Sequence, residues 1–404
     1  MMRKFILFFY LICIYSFVNA FECKPPVVKD TFCSVVQGVD FTANIRRFDT
    51  NFKGENGYCY VQSRMAFSPN GKGVFTCSSL ALNGMDVYSG LFYSLSNDFG
   101  KTWGNFQSSA TIKRYKNPDN TEQMFLDASP VYHKKANKFI IFGASLSYTG
   151  KKHNANHEVV YSVFDESAND FKNQKILKLP YKICSAGCVQ VHIEDDGTIL
   201  LPVSVRNNPK ELGSVVVAKC SFDGEEIKVL EIGKKITHDV RRGLYEPSII
   251  KSGNVYFLSL RNDKTGFLAR SSDGLNYAEK VALRFDDGAL VGNYNTQTHW
   301  LENAGKIYLV YTRSGANNDH VFRHRAPLFI AEVDKQTLLV KRSTERAITE
   351  NRGARMGNFG CINIQPKRWA VVTSEWMQGK GGWRGVMKYG ANNSIYMTEI
   401  KFNK

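Results

Sequence analysis

Six times along the 404 residues, a strand-like run, a tight polar turn and a second strand-like run follow one another. The six are RMAFSPNGKGVFTC, PVYHKKANKFIIFG, VQVHIEDDGTILLPV, PSIIKSGNVYFLSL, THWLENAGKIYLVY and INIQPKRWAVVTS, with turns centred near residues 70, 136, 196, 253, 304 and 367. β-Branched and aromatic residues flank steps such as Asn70-Gly71, Asp196-Gly197 and Gly253-Asn254, the composition of antiparallel hairpins. The turns recur every 51 to 66 residues, and six such repeats use nearly all of the chain beyond its first 20 residues. A β-sandwich would hold as many hairpins but would not need so even a spacing. Radial repetition of small antiparallel sheets does, because it is how a ring of blades hides its strand edges. Helical periodicity is scarce. The sequence therefore predicts an all-β, six-bladed β-propeller.

The first residues, MMRKFILFFYLICIYSFVNA, place Arg3 and Lys4 ahead of an apolar run that closes on small residues. That order, with Val18-x-Ala20 as cleavage site, reads as a secretory signal peptide. The run is short for a transmembrane helix, and no later stretch is longer. The expected organisation is a signal peptide over 1–20 and a single propeller domain over 21–404. Such a protein is secreted or periplasmic, with no stable membrane insertion after the leader is removed. Eight of the nine cysteines lie beyond the leader, an even number in an exported chain, so disulfides are expected, with a pairing that spacing does not reveal. Cys184 and Cys188 have no second pair or histidine at zinc-ligand spacing, so neither a metal nor another cofactor is expected.

The formal charge of +16 falls to +14 without Arg3 and Lys4, which favours an anionic partner. The lysines and arginines are scattered and no nucleic-acid motif is present, so the expected partner is an acidic glycan rather than nucleic acid.

Candidate site residues cluster where the chain enters the first strand of a hairpin or leaves the second. Glu246 and Arg261 are placed symmetrically about the Gly253-Asn254 turn, which would set them opposite each other at one rim. Taken alone the pair could be a weak rim ion pair. The other hairpins feed the same rim: Arg64, then Asp86 in LNGMDVYSG; Arg313, Asn318, Asp319, His320, Arg323 and Arg325 in TRSGANNDHVFRHRAP; Arg355 and Asn358; and Glu375-Trp376. Arginines converging with a few carboxylates suit a carboxylate- or sulfate-bearing ligand gripped bidentately. Three histidines of the fifth repeat, His299, His320 and His324, offer a competing base for a polysaccharide lyase or uronate-directed glycosidase.

The run SNDFGKTW, 96–103, fits Ser-x-Asp-x-Gly-x-Thr-Trp, with shorter echoes at SSDGLNY, 271–277, and SFDGEE, 221–226. It resembles the Asp-box (BNR repeat) of sialidases, which in that family is a structural turn away from the active site. The order Arg64, Asp86, Asp-box, Glu246, Arg261, then Arg323 or Arg325 before APLFIAEV, is similar to that of the sialidase superfamily over the whole mature chain. The resemblance implies a sialidase-like propeller and an exo-glycosidase hydrolysing a terminal acidic sugar, sialic acid above all. In that scheme Arg64, Arg261 and Arg323 or Arg325 clamp the carboxylate, Asp86 is the general acid/base, and Glu246 tunes or replaces the nucleophile. The family's nucleophilic tyrosine is missing: Asn358 and Phe359 stand where it is expected, which leaves Tyr245 and Tyr294 as the nearest candidates by blade position. A different carbohydrate-active enzyme, or a glycan-binding propeller without catalysis, remain the alternatives.

Overall fold

The computed structural model describes residues 23–84, 86–149 and 152–403, so the predicted leader lies outside the described residues. Six antiparallel sheets are arranged as a β-propeller. Each predicted turn joins the first and second strands of a blade. Tyr58–Phe67 turns into Gly73–Ala81 in blade one, and Glu122–His133 into Lys138–Thr149 in blade two. Tyr245–Ser252 turns into Val255–Arg261 in blade four, and His299–Asn303 into Lys306–Tyr311 in blade five. In blade three the first strand is split into Ile183–Ser185 and His192–Ile193, both paired with Ile199–Arg206.

Blade six is assembled from both ends of the chain. Phe359–Gln365, Arg368–Ser374 and Ile395–Phe402 are followed in the sheet by Phe41–Thr50 and then Val28–Gln37. Phe41 lies opposite Phe402 and Phe48 opposite Ile395, so the N-terminal strands fasten the ring and cover an edge that would otherwise be open. The hairpin pattern alone did not contain this closure.

First strands are pressed between neighbouring blades, and that of blade one is buried along its whole length. Apolar faces meet between blades. Trp300, Phe359, Trp369 and Phe402 belong to one such layer, and Phe142, Tyr161, Leu201 and Val216 to another. The cysteines are distributed among these layers, and Cys23, Cys33, Cys59, Cys77, Cys184, Cys188, Cys220 and Cys361 all carry free thiols. The expected disulfides are therefore absent among the described residues. Even Cys184 and Cys188 part company, since Cys184 packs between blades two and three and Cys188 turns toward Asp127.

The run 96–103 forms a turn after the third strand of blade one, Tyr88–Ser96. Ser96 Oγ donates to Asp98 Oδ1 at 2.8 Å and accepts from the Gly100 amide at 3.0 Å. Asp98 accepts from the Thr102 amide at 2.9 Å. Gly100 takes φ +74°, a region that costs other residues dearly. Partial burial would raise the Asp98 carboxyl, but these hydrogen bonds, Thr102's above all, hold it down to about 2. Trp103 packs against Phe75 at 5.2 Å between ring centres. Ser271, Asp273 and Gly274 repeat the arrangement in blade four, with Ser271 Oγ 2.7 Å from Asp273 Oδ1.

Candidate active site

At the propeller end where the chain enters each first strand, the loops surround a cavity of about 1020 Å³. Asp86, Tyr245, Glu246, Arg261, Arg323, Arg325, Arg355 and Asn358 all line it, drawn from blades one, four, five and six. Most of the predicted rim is thus brought together.

The backbone that delivers these side chains is locally strained. Gln62, Asp127, Cys188, Glu246 and Asn295 take left-handed φ angles of +58°, +56°, +58°, +42° and +54°. Each stands where the first strand of its blade, one to five in order, comes up to the axis. Left-handed backbone is costly for residues other than glycine and persists where the surroundings enforce it, often at functional sites. In blades one, two and four the strand register slips at that point, between Val61 and Arg64, Leu126 and Ser129, and Tyr245 and Ser248. A bulge of this kind re-aims a side chain. It also corrects the simple hairpin geometry: Tyr245, not Glu246, lies opposite Arg261, and the bulge turns the Glu246 carboxylate back to accept a hydrogen bond from Arg261 Nη1.

The arginines are held with donors to spare. Arg261 gives Nη1 to Glu246 and Nη2 to the side-chain oxygen of Asn295, while its Nε is buried without a protein partner. Arg325 donates Nη2 to the Asn295 carbonyl, and its Nε is likewise unpartnered. Burial, reinforced by Arg261 and Arg355, drives the Arg325 guanidinium well below its ordinary value. Burial also lowers Arg355, which lies 4.6 Å from the Trp376 ring centre and donates to Gln378 at 2.6 Å. Arg64 lies buried beside the cavity rather than on its surface. Its Nη1 reaches the Ala128 carbonyl at 3.4 Å, and Nε and Nη2 are unpartnered. So many buried cationic donors without acceptors carry a large desolvation cost that an anion would relieve.

Besides Asp263 on the wall, three carboxyl groups face these cations. Glu246 Oε2 is buried without a partner, leaving one oxygen uncommitted. Asp86, itself at φ +57°, accepts from the Tyr88 hydroxyl at 3.3 Å. The third, Asp127, was not singled out from the sequence. Protein surrounds it except along the edge that faces the cavity, and Gln62 fixes it from both sides: the Gln62 amide donates to Asp127 Oδ1, and the Asp127 N–H donates to Gln62 Oε1 at 3.0 Å. Burial pushes its carboxyl up to about 6 against the pull of Arg64, and Glu246 and Asp86 add to the rise. A signal existed in the sequence: an aspartate inside the apolar strand FLDASPVY, at the same point of its repeat as Glu246. Arg242 and Asp263 were missed as well. They form a 2.6 Å ion pair on the cavity wall, with Arg242 stacked on Tyr245.

Several predicted residues do not reach the cavity. Arg313 is bound to Glu345 at 2.6 Å and stacks on Phe329. Asn318 is buried, its amide donating to the carbonyls of Arg313, His324 and Ala326, so it shapes the loop. Asp319 is exposed and pairs with His324 at 3.1 Å, and His320 lies against Tyr389. Tyr294 is not part of the lining, and its hydroxyl is 2.7 Å from His324 Nδ1. Tyr245 does line the cavity, but its hydroxyl donates to the Arg242 carbonyl at 2.6 Å. His299 is a core residue bonded to Ser248 at 2.7 Å; burial, with Arg64 nearby, pushes it down to about 3. The three histidines therefore do not converge on one base site.

No family model matches the chain, and no curated protein matches it in sequence. Solved structures match in fold. A protein of unknown function from Dyadobacter fermentans is 13% identical with a TM-score of 0.61, covering 91% of this chain and 99% of its own. The Hadza microbial sialidase Hz136 is 11% identical with a TM-score of 0.60, over 90% of this chain and 74% of its own. The GH93 α-L-arabinofuranosidase of Fusarium graminearum is 12% identical with a TM-score of 0.56, over 91% and 98%. The chain has a sialidase-like propeller fold.

Proposed function

We propose that this protein is an exo-glycosidase that hydrolyses a terminal acidic sugar, sialic acid, from a glycan outside the cytoplasm. The observation that carries the reading is the set of unpartnered guanidinium N–H groups of Arg261, Arg325 and Arg355, gathered around one cavity that also holds carboxyl groups, with Arg64 buried beside it. A ligand held only by its charge would not call for carboxylates beside it. Arg261 and Arg325, with Arg323 at the wall, grip the sugar carboxylate, and Arg64, buried beside the cavity, adds positive charge. Asp86 and Asp127 form the acid side: their repulsion helps keep one proton bound, and Asp127 holds that proton up to about pH 6. Glu246, held by Arg261 at the cavity wall, is the base that takes a proton from water.

The tyrosines near the site favour water as the nucleophile. The Tyr245 hydroxyl is committed to a carbonyl, the Tyr88 hydroxyl to Asp86, and the Tyr294 hydroxyl to His324. Asn358 lines the cavity where the resemblance calls for a tyrosine. The reaction is then a single displacement. Water attacks the anomeric carbon as its proton passes to Glu246, the glycosidic bond breaks, and the leaving oxygen takes the acid's proton, inverting the anomeric centre.

The test is release of free sialic acid from sialyllactose, with the first anomer followed by proton NMR. Release in wild type, of the inverted anomer, with loss of binding and turnover together in Arg261→Ala, is the expected result. A retained anomer would refute water as the nucleophile. No release from any sialoside or uronoside by folded protein would refute the hydrolase.

A further inference from the structure

A second depression, of about 530 Å³, opens between blades two and three. It adjoins the central cavity: Ile183 lines both, and the chain passes from one lining to the other at His157-Glu158 and Arg206-Asn207. Its chemistry is different. The central cavity is walled by arginines, whereas this groove offers the side chains of Gln123, Ser145, Ser147 and Asn208, with one carboxylate, Glu158, and one ammonium, Lys182. Among the described residues, no arginine and no aromatic ring lines it.

The polar groups are set out in register across the sheet of blade two. Gln123 lies opposite Ser147, and Ser145 opposite Glu158. Several are fixed on one side only. Gln123 Oε1 accepts from Tyr115 at 2.7 Å, and Asn208 Oδ1 accepts from the amides of Lys210 and Glu211 at 3.0 Å, which steadies each side chain and leaves the amide nitrogen as donor. Among the described residues, neither Glu158 nor Lys182 makes an ion pair. Amides, hydroxyls, one carboxylate and one ammonium supply the mixture of donors and acceptors that a polyhydroxylated ring requires. The groove carries no net positive charge to attract a second anion, and Ile183 and Pro209 give it an apolar wall on which the carbon face of a sugar ring can rest. Its volume is within the range of small-ligand sites.

We infer that the groove between blades two and three is a second saccharide subsite, which takes the uncharged, hydroxyl-rich sugars on the leaving-group side of the central cavity. The inference rests on the hydrolase reading for its direction, since the acidic sugar occupies the arginine cavity and the remainder of the glycan runs outward along the groove. It makes this protein an enzyme of extended glycans rather than of any small acidic glycoside.

The test separates the two sites by charge. Binding of lactose and N-acetyllactosamine, which carry no acid, is measured by saturation-transfer NMR on wild type, on Arg261→Ala and on Gln123→Ala/Lys182→Ala. Both groove substitutions lie at the surface, and a melting curve verifies the fold. Binding that persists in Arg261→Ala and weakens about tenfold in the groove variant is expected. In parallel, the groove variant should raise KM for sialyllactose while leaving the umbelliferyl sialoside unaffected. No disaccharide binding to wild type, or binding lost in Arg261→Ala and kept in the groove variant, would overturn the subsite. Disaccharide binding that maps to the groove in a protein that cleaves no acidic glycoside would uphold the subsite and refute the hydrolase.

Discussion

Replacing Asp127 by Asn removes a charge that the fold holds at a cost. Its carboxyl rises from 3.8 to about 6, which corresponds to about 3 kcal/mol if taken in full. One edge faces the cavity, where water screens it, so about 1–2 kcal/mol is the working figure. The direction follows from proton binding. Below about pH 4 the group is neutral in both states and costs nothing. Between about 4 and 6 the folded protein holds more protons than the unfolded, so stability falls as pH rises, and above about 6 the whole penalty is present. Asparagine keeps an acceptor for the Gln62 amide and cannot ionise. For 404 residues an unfolding entropy of about 0.8 kcal/mol/K converts the penalty to about 1–3 °C. Calorimetry from pH 4 to pH 8 should therefore show the variant melting about 1–3 °C above wild type at pH 8 and level with it at pH 4. Turnover on the released-sugar assay should fall by about 10²–10⁴. A variant that melts below wild type at pH 8 would refute the buried-proton argument, and one that keeps its turnover would refute the acid role.

Arg325→Met keeps the stem that packs on Gly357 and removes a buried cation among cations, so Tm should hold or rise while anion binding is lost in calorimetric titration; a marked fall in Tm would contradict the repulsion argument. Glu375 is fully buried, accepts the amides of Asn392 and Ser394 at 2.9 and 3.0 Å, and is pushed by burial up to about 7. Its penalty grows as pH rises from about 4.5 to 7, so Glu375→Gln should flatten the decline of Tm across that window, and an unchanged slope would count against it. Trp103→Ala empties the space beside Phe67 and Phe75 and should cost about 3 kcal/mol in urea unfolding with KM unchanged, because the turn 96–103 lies at the end of the blade away from the cavity.

Local sequence was a good guide wherever local chemistry sets the structure. Asn70-Gly71 and Gly253-Asn254 turn because their residues accept the angles a tight hairpin needs, and the alternating apolar runs beside them could only be strands. Asp98 and Gly100 could be read as scaffold for the same reason, since the bonds that hold them run within eight residues. At the site, Glu246, Arg261 and Asp86 were legible because charge at the ends of apolar strands is conspicuous. Asp127 was passed over, although it interrupts an apolar strand in the same way, because its importance comes from Gln62, Arg64 and Cys188, which belong to other blades. The loop 313–325 misled for the opposite reason. Its charges are dense, yet Arg313 is consumed by Glu345 and Asn318 by three carbonyls, so of its charged side chains Arg323 and Arg325 alone line the cavity, beside Phe322.

The sequence by itself determined the strand content, the six-fold period and the polar rim, each a property of neighbouring residues in the chain. Tertiary structure decided what depends on distant ones: the fastening of Phe41–Thr50 onto Ile395–Phe402, the bulges that aim Glu246 and Asp127 at the axis, and which arginines are left without acceptors. Closing a ring brings residues hundreds of positions apart within hydrogen-bond range, and burial at the axis then sets the protonation and charge balance on which the chemistry depends.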